Sequence, residues 1–386
     1  MAKYFVLGFA AIPFVYYFLA IYSIWRFFSA AKREQTTNRD FLPPVSCLKP
    51  IKGLDEDAYE NYASFCRQDY PEYEIVFCVD PGDPALPVLE RLICDFPERQ
   101  IRLLFGSGRN AINDKVARLV RLTAEAKYDL FVITDGDVRV QPDYLRTVVA
   151  PFRDPHVGAA TCLYAATKET TLVQELQSIA MISDFFAGVM VAWKLDGVKF
   201  TFGQTIVTRR QSVDGYGGYQ VIEDRPADDV WAGRLVADQG YEVKLLPYVV
   251  QSVADFESLG ALIHKRIRWA TVQRMMRPWG HVGLVFTWGL PWSLLAVAVD
   301  PKVGLAYLGG YAICRVLIGW MIGVWGTKQE GVWQKLPLIP VWDGMAFAIW
   351  LVSFGRKTIR WRGVDYALRE GKFVSAVPAV ARDAVR

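Results

Sequence analysis

The stretch from Tyr4 to Trp25 carries no charged residue. It is about as long as the ~20 apolar residues a helix needs to cross a bilayer. No small-residue cleavage site follows it, so a retained signal anchor is expected rather than a removed signal peptide. Arg26, Lys32 and Arg33 come next. Basic residues beside a span favour the cytoplasmic side, which places the following domain in the cytoplasm.

Three further apolar stretches lie near the other end. Val282 to Val299 reads as a second span, Asp300-Pro301-Lys302 as a tight turn, Val303 to Gly326 as a third span and Leu336 to Phe354 as a fourth. Four complete spans would put both termini outside. The cluster Arg356, Lys357, Arg360 and Arg362 argues instead for a C-terminus inside. One segment should therefore lie in the interface or re-enter, and the sequence leaves open which. Arg315 and Asp343 fall within these apolar stretches, where charges are costly; they are expected to form a structural pair joining two spans, the alternative being a substrate contact.

Between the ends, residues 40–255 have ordinary globular composition, although the whole chain is 52% hydrophobic. The organisation expected is an anchor over 1–28, a cytoplasmic domain over 40–255, interfacial helices over 256–280, a membrane region over 281–355 and a basic tail over 356–386. A net charge of +4 is too small to argue for nucleic acid as a partner. The basic residues cluster beside the apolar stretches, as they do next to a bilayer. The six cysteines show no metal or redox spacing and read as free thiols.

In the central domain, strand-like runs alternate with helical patterns. Val45–Leu48, Glu74–Val79, Ile101–Phe105 and Leu130–Thr134 are the strands. Asp55–Gln68, Ala85–Phe96 and Asn113–Ala126 are the helices. This order implies an α/β domain with a mostly parallel sheet, which binds ligands at the C-terminal ends of its strands. Asp80 and Asp83 lie at one such end. Asp135 and Asp137 follow another, and on an extended backbone two residues apart they would face one side together. Two hard oxygen donors suit Mg²⁺ or Mn²⁺. Asp228 and Asp229 open a later helix, where they fit either the helix dipole or a general base. The run His264-Lys265-Arg266-Ile267-Arg268-Trp269 fits either an interfacial anchor or a diphosphate clamp.

Seven segments in fixed order, "VSCLKPIKGLDE", "CRQDYPEYEIVFCVDPGDPA", "INDKVARL", "ITDGDVRV", "ADDVWAGRLVADQGYEV", "KRIRW" and "WRGVDYAL", resemble the inverting ceramide glucosyltransferase family. The resemblance implies a single nucleotide-sugar-binding domain of the GT-A type, flanked by N- and C-terminal transmembrane helices. It implies a UDP-sugar donor and a membrane lipid acceptor, ceramide or a hopanoid. By position, Asp80 or Asp83 would contact the uridine and Lys115 the nucleotide. Asp135 and Asp137 would hold the metal, and Asp229 would be the base. Arg268 and Trp269 match the family's R/Q-x-x-R-W ending, but Lys265 stands at its first position and lacks the planar fork of an arginine.

Two other enzymes share much of this pattern: a hopanoid glycosyltransferase and a processive polysaccharide synthase, the latter needing more spans for a channel. A non-enzymatic lipid-binding scaffold is the reading from another class. It has no use for acids at three separate strand or helix ends.

Overall fold

All seven residues of Tyr73–Val79 are buried, as in a strand covered on both faces. The computed structural model describes residues 1–34, 40–109, 111–166, 169–253, 258–361, 364–369 and 372–375. Arg362 and the tail after residue 375 lie outside these, as do the side chains of Lys32, Arg33 and Arg360.

The chain begins with α1 (Ala2–Glu34), β1 (Val45–Pro50), α2 (Ala58–Cys66), β2 (Tyr73–Val79), α3 (Leu86–Asp95), β3 (Gln100–Phe105), α4 (Asp114–Glu125) and β4 (Leu130–Ile133). Then come β5 (Val138–Arg139), α5 (Tyr144–Val149), β6 (Val157–Ala166), α6 (Leu172–Ala180), α7 (Phe186–Asp196), β7 (Ile206–Arg209), α8 (Arg210–Gly215), α9 (Asp228–Asp238) and β8 (Glu242–Ser252). The last part holds α10 (Leu259–Met276), α11 (Pro278–Gly283), α12 (Gly289–Val299), α13 (Pro301–Trp320), α14 (Val332–Lys335), α15 (Ile339–Phe354), β9 (Ile359–Trp361), β10 (Val364–Arg369) and β11 (Lys372–Ser375). Two compact units result: Ala30–Lys168 with Asp196–Ala254, and Met1–Ser29 with Glu169–Leu195 and Asp255–Arg386.

The first unit is built on an eight-stranded sheet in the order β3-β2-β1-β4-β7-β6-β8-β5. The run from β3 to β4 is parallel. β7 is antiparallel to both β4 and β6. Ile75, Phe77 and Val79 pack into one core with α2 and α3, while Val76 and Cys78 pack into another with α4. This period of two gives a sheet with a core on each face. α4 forms because Asn113 caps it, accepting the Val116 N–H, and because Val116, Leu119 and Leu122 share its buried face. After β3 the chain crosses back to place β4 beside β1. That reversal is where such sheets take ligands.

The second unit contains helices Lys3–Ala30, Leu172–Asp196, Pro301–Gly326 and Val332–Phe354, each long and apolar enough to cross a membrane. The span expected over 282–299 falls in a bent pair of helices, which breaks at Trp288 and bends by 50°. Pro291 is the physical cause, since it has no N–H for the carbonyl of Thr287. That carbonyl instead accepts the Tyr17 hydroxyl at 3.2 Å, and the Gly289 N–H donates to the same oxygen of Tyr17 at 2.9 Å. The tight turn expected at Asp300 is present: Asp300 is the single residue between α12 and α13, and its side chain caps α13 by accepting the Val303 N–H.

Arg315 and Asp343 do pair. They are 4% and 3% exposed, with Arg315 Nε donating to Asp343 Oδ2 at 2.8 Å and Tyr311 donating to the same oxygen at 2.7 Å. Arg315 also donates to the carbonyl of Ser183, which lies in a π-helical turn, Met181–Phe185, between α6 and α7. A π turn displaces carbonyls from their ordinary partners, and here the guanidinium takes one up.

Candidate active site

The C-terminal ends of β2 and β4, the start of α4 and the start of α9 carry the expected acids and Lys115 of the first unit. The Asp135-Gly136-Asp137 segment is a turn between β4 and β5, not the extended backbone anticipated. Asp135 Oδ1 meets Lys115 Nζ at 2.6 Å, whereas Asp137 Oδ2 accepts the Ser252 hydroxyl at 2.6 Å. The turn passes close to the β1–α2 loop: a Cβ on Gly136 would come 2.9 Å from Asp55 Oδ2.

Asp80 and Asp83 are separated by their partners. Asp80 takes both prongs of the Arg118 guanidinium, at 3.1 and 2.6 Å, and Arg118 is itself 1% exposed. Asp83 is occupied on both oxygens by backbone amides, those of Gly53 and Ala85, each at 2.9 Å. Asp83 therefore ties the β1–α2 loop to the start of α3.

Lys115 also lies 3.5 Å from Asp228 Oδ2, and Asn113 donates to Asp228 Oδ1 at 3.2 Å. Asp228 is thus committed to α4. Asp229 is held by backbone alone, Oδ1 accepting the Val230 N–H at 2.8 Å and Oδ2 the Gly203 N–H at 3.1 Å. Burial, reinforced by the neighbouring Asp228 charge and opposed by Lys115, pushes the Asp229 carboxyl up to about 6. Burial also raises the Asp135 carboxyl, against the pull of Lys115. The backbone before Asp228 is strained, with Ala227 at a φ of 55°, a region that non-glycine residues seldom adopt.

Sequence reading missed several parts of this arrangement. Lys49 is the penultimate residue of β1 and is fully buried. Its ammonium donates to the Asp135 carbonyl at 3.2 Å and lies 3.7 Å over the Phe65 ring, and burial lowers its pKa to about 8. A lysine at the end of a buried strand was the available signal. Gly203 gave none. A Cβ there would come 2.9 Å from Asp135 Oδ2 and 3.1 Å from Lys115 Nζ.

Arg268 and Trp269 lie in the second unit, on α10. The Trp269 ring carries Arg266 at 4.9 Å and Lys265 at 5.7 Å on its face. Burial lowers the pKa of Arg268.

Among the described residues, no group of three or more His, Cys, Asp or Glu side chains could hold a metal ion alone. Asp135 and Asp137 supply two carboxylates at most. That incomplete set of hard donors fits Mg²⁺ or Mn²⁺, which are commonly held by one or two carboxylates together with substrate phosphates and water.

The sheet order and the acids at its strand ends define a glycosyltransferase of the GT-A type. The fold is shared with a mannosyltransferase, PcManGT from Pyrobaculum calidifontis, solved in complex with GDP-Man and Mn²⁺: TM-score 0.53, 17% identity, covering 90% of this chain and 99% of that one. The chain belongs to glycosyl transferase family 21, which it matches over residues 5–374. It is similar to ceramide glucosyltransferase 1 of Caenorhabditis elegans, at 22% identity over 363 residues, covering 91% of this chain and 76% of that protein. It is also similar to ceramide glucosyltransferase 3 of the same organism, at 23% identity over 291 residues, covering 74% and 61%.

Proposed function

We propose that the protein transfers a hexose, glucose by analogy with its relatives, from a UDP-sugar to the hydroxyl of a membrane lipid, ceramide, with inversion at the anomeric carbon. The observation that carries this reading is Asp229: a half-buried carboxylate held by two backbone amides, which desolvation and the neighbouring Asp228 charge raise to a pKa of about 6. Each carboxylate oxygen keeps a second lone pair for an incoming hydroxyl.

In the proposed step the acceptor oxygen forms a bond to the anomeric carbon while the bond from that carbon to the diphosphate oxygen breaks. The hydroxyl proton passes to Asp229, which must be ionised to take it. Asp135 and Asp137 would hold a divalent ion, which supplies charge neutralisation for the departing diphosphate. Lys115, released from Asp135, adds a cation on the nucleotide side. Asp80, aligned by Arg118, or Asp83, held by two backbone amides, would contact the uridine. Arg268 is assigned to the diphosphate and Trp269 to the acceptor or sugar. The catalytic unit faces the cytoplasm in this reading, supported by the basic residues after the first span.

The test is UDP release by purified protein offered ceramide, a hopanoid and diacylglycerol in turn. Release stimulated by ceramide, with a glycosylated ceramide as product, is the expected result. Stimulation by the hopanoid alone would replace the acceptor. UDP release with none of the three would overturn the acceptor class.

A further inference from the structure

Among the described residues, four helices and one bent pair are long and apolar enough to cross a bilayer, but connectivity forbids some of them from doing so. From the placement of Lys3 beside Asp300 and of α15 beside α10, we infer that only three segments cross: α1, the bent α11–α12 pair and α13. Segments 172–196 and 332–354 lie in the plane of the leaflet facing the catalytic unit. With α10 they form a surface whose partner is the boundary between headgroups and acyl chains.

The segment Leu172–Asp196 joins β6 to β7. These strands are paired side by side, Ala159 with Thr208 and Ala160 with Val207. One crossing between them would put two hydrogen-bonded strands in different compartments. The segment must therefore return to the side it left, and at about 1.5 Å per residue it has no length for two crossings of a ~30 Å core.

Lys3 Nζ lies 2.8 Å from Asp300 Oδ2, which puts the start of α13 level with the start of α1. The two helices then run in the same direction. Phe14 meets Tyr307 at 5.7 Å between ring centroids, Tyr17 meets Tyr311 at 6.4 Å and Phe28 meets Trp325 at 5.7 Å. α1 delivers the chain to the catalytic unit, so α13 returns it to that same side. The chain must first have crossed outward to reach Asp300. α12 provides the climb, from the Tyr17 level at Gly289 to Asp300. Its 11 residues rise only about 16 Å, so α11 and the turn after it complete the crossing.

α15 lies alongside α10 and parallel to it. The Arg266 guanidinium packs over the Trp342 ring at 5.1 Å near one end, and Arg274 donates to the Arg356 carbonyl near the other. His281, just after α10, bonds Ser353 at 2.9 Å. Helices in register at both ends share a depth. α10 starts soon after β8, on the catalytic side, and carries Lys265, Arg266, Arg268 and Arg274. Each such charge costs about 2.5–3.5 kcal/mol at the middle of a membrane helix, so α10 stays at the surface and α15 stays with it. Trp279, 85% exposed, follows α10 as an interfacial aromatic should. The chain then ends on the catalytic side, where Arg356 and Lys357 are exposed. Three crossings thereby reconcile the apolar segments with the basic cluster after them.

The experiment is labelling by a membrane-impermeant maleimide, in intact cells and in inverted vesicles. The exposed native Cys94 reports the side of the catalytic unit, while the other five cysteines are buried. Lys302→Cys, Gly197→Cys, Gly331→Cys and Lys372→Cys are then made singly on a Cys94→Ser background. Lys302→Cys should react from the side opposite Cys94, and the other three from the Cys94 side. Reaction of Gly197→Cys or Lys372→Cys from the Lys302 side overturns the inference, and so does reaction of Lys302→Cys from the Cys94 side. A green fluorescent protein fused after residue 386, tested for protease access from each side, reads the same question without cysteines. It should be cut only from the Cys94 side. Cys94 labelled from outside the cell would refute the cytoplasmic assignment and leave the three-crossing inference standing.

Discussion

Lys115 and Asp135 form an ion pair of 2.6 Å at the point where a nucleotide diphosphate and its metal are proposed to bind. An ammonium and a divalent cation would compete for the same carboxylate, and in the proposed mechanism donor binding moves Lys115 from Asp135 to phosphate. Asp135→Ala or Asp137→Ala should abolish metal-dependent UDP binding in calorimetry. Lys115→Met should raise the KM for donor about tenfold or more, or ~1.4 kcal/mol. UDP binding that survives in both aspartate variants with unchanged metal dependence would remove the metal assignment.

Asp229 should set the acid limb of the pH profile. Its carboxyl is raised to about 6, and only the ionised form accepts a proton. The rate should therefore fall about tenfold per pH unit below that value and level off above it. Asp229→Asn should lose transfer by about a hundredfold or more while keeping donor affinity, and Asp228→Asn should lose less. Near wild-type transfer by Asp229→Asn would refute the base.

Gly203→Ala should reduce transfer without unfolding the protein. The new methyl group would press on both Asp135 and Lys115 and shift the amide that orients Asp229. A rate loss of about tenfold with little change in Tm is the expected pattern. Normal turnover would show that the segment yields freely.

Arg315 and Asp343 should couple. Removing one partner of a buried pair typically costs about 3–5 kcal/mol, while removing both costs less than the sum. A double-mutant cycle on thermal or denaturant stability, with Arg315→Met and Asp343→Asn, measures this. Additive losses would show independent roles.

The parallel half of the sheet was legible because Glu74–Val79 and Leu130–Thr134 are apolar runs closed by acids, a pattern that local chemistry produces. The pairing of Arg315 with Asp343 was legible because charges in apolar stretches must be compensated. Other features depend on contacts between segments distant in sequence. The break at Trp288 follows from Pro291, but the Tyr17 hydroxyl that takes up the freed carbonyl lies 270 residues earlier. The different partners of Asp80 and Asp83 depend on Arg118, one helix away, and on the Gly53 and Ala85 amides. Asp135 and Asp137 looked extended because the strand before them is, yet Gly136 turns the chain and sends them to different partners.

The position of β7 between β4 and β6 bears on biosynthesis. β1 to β4 emerge first and can pair among themselves. β6 emerges later but has no place in the sheet until β7 has been made, and β7 follows the apolar 172–196 segment. Until the ribosome has passed residue 209, β4 presents an unpaired edge bearing Phe131 and Val132, the kind of edge that invites wrong pairing. Capture of residues 172–196 by the bilayer during synthesis would keep the ends of β6 and β7 together, so the membrane would act as a template for the second half of the sheet.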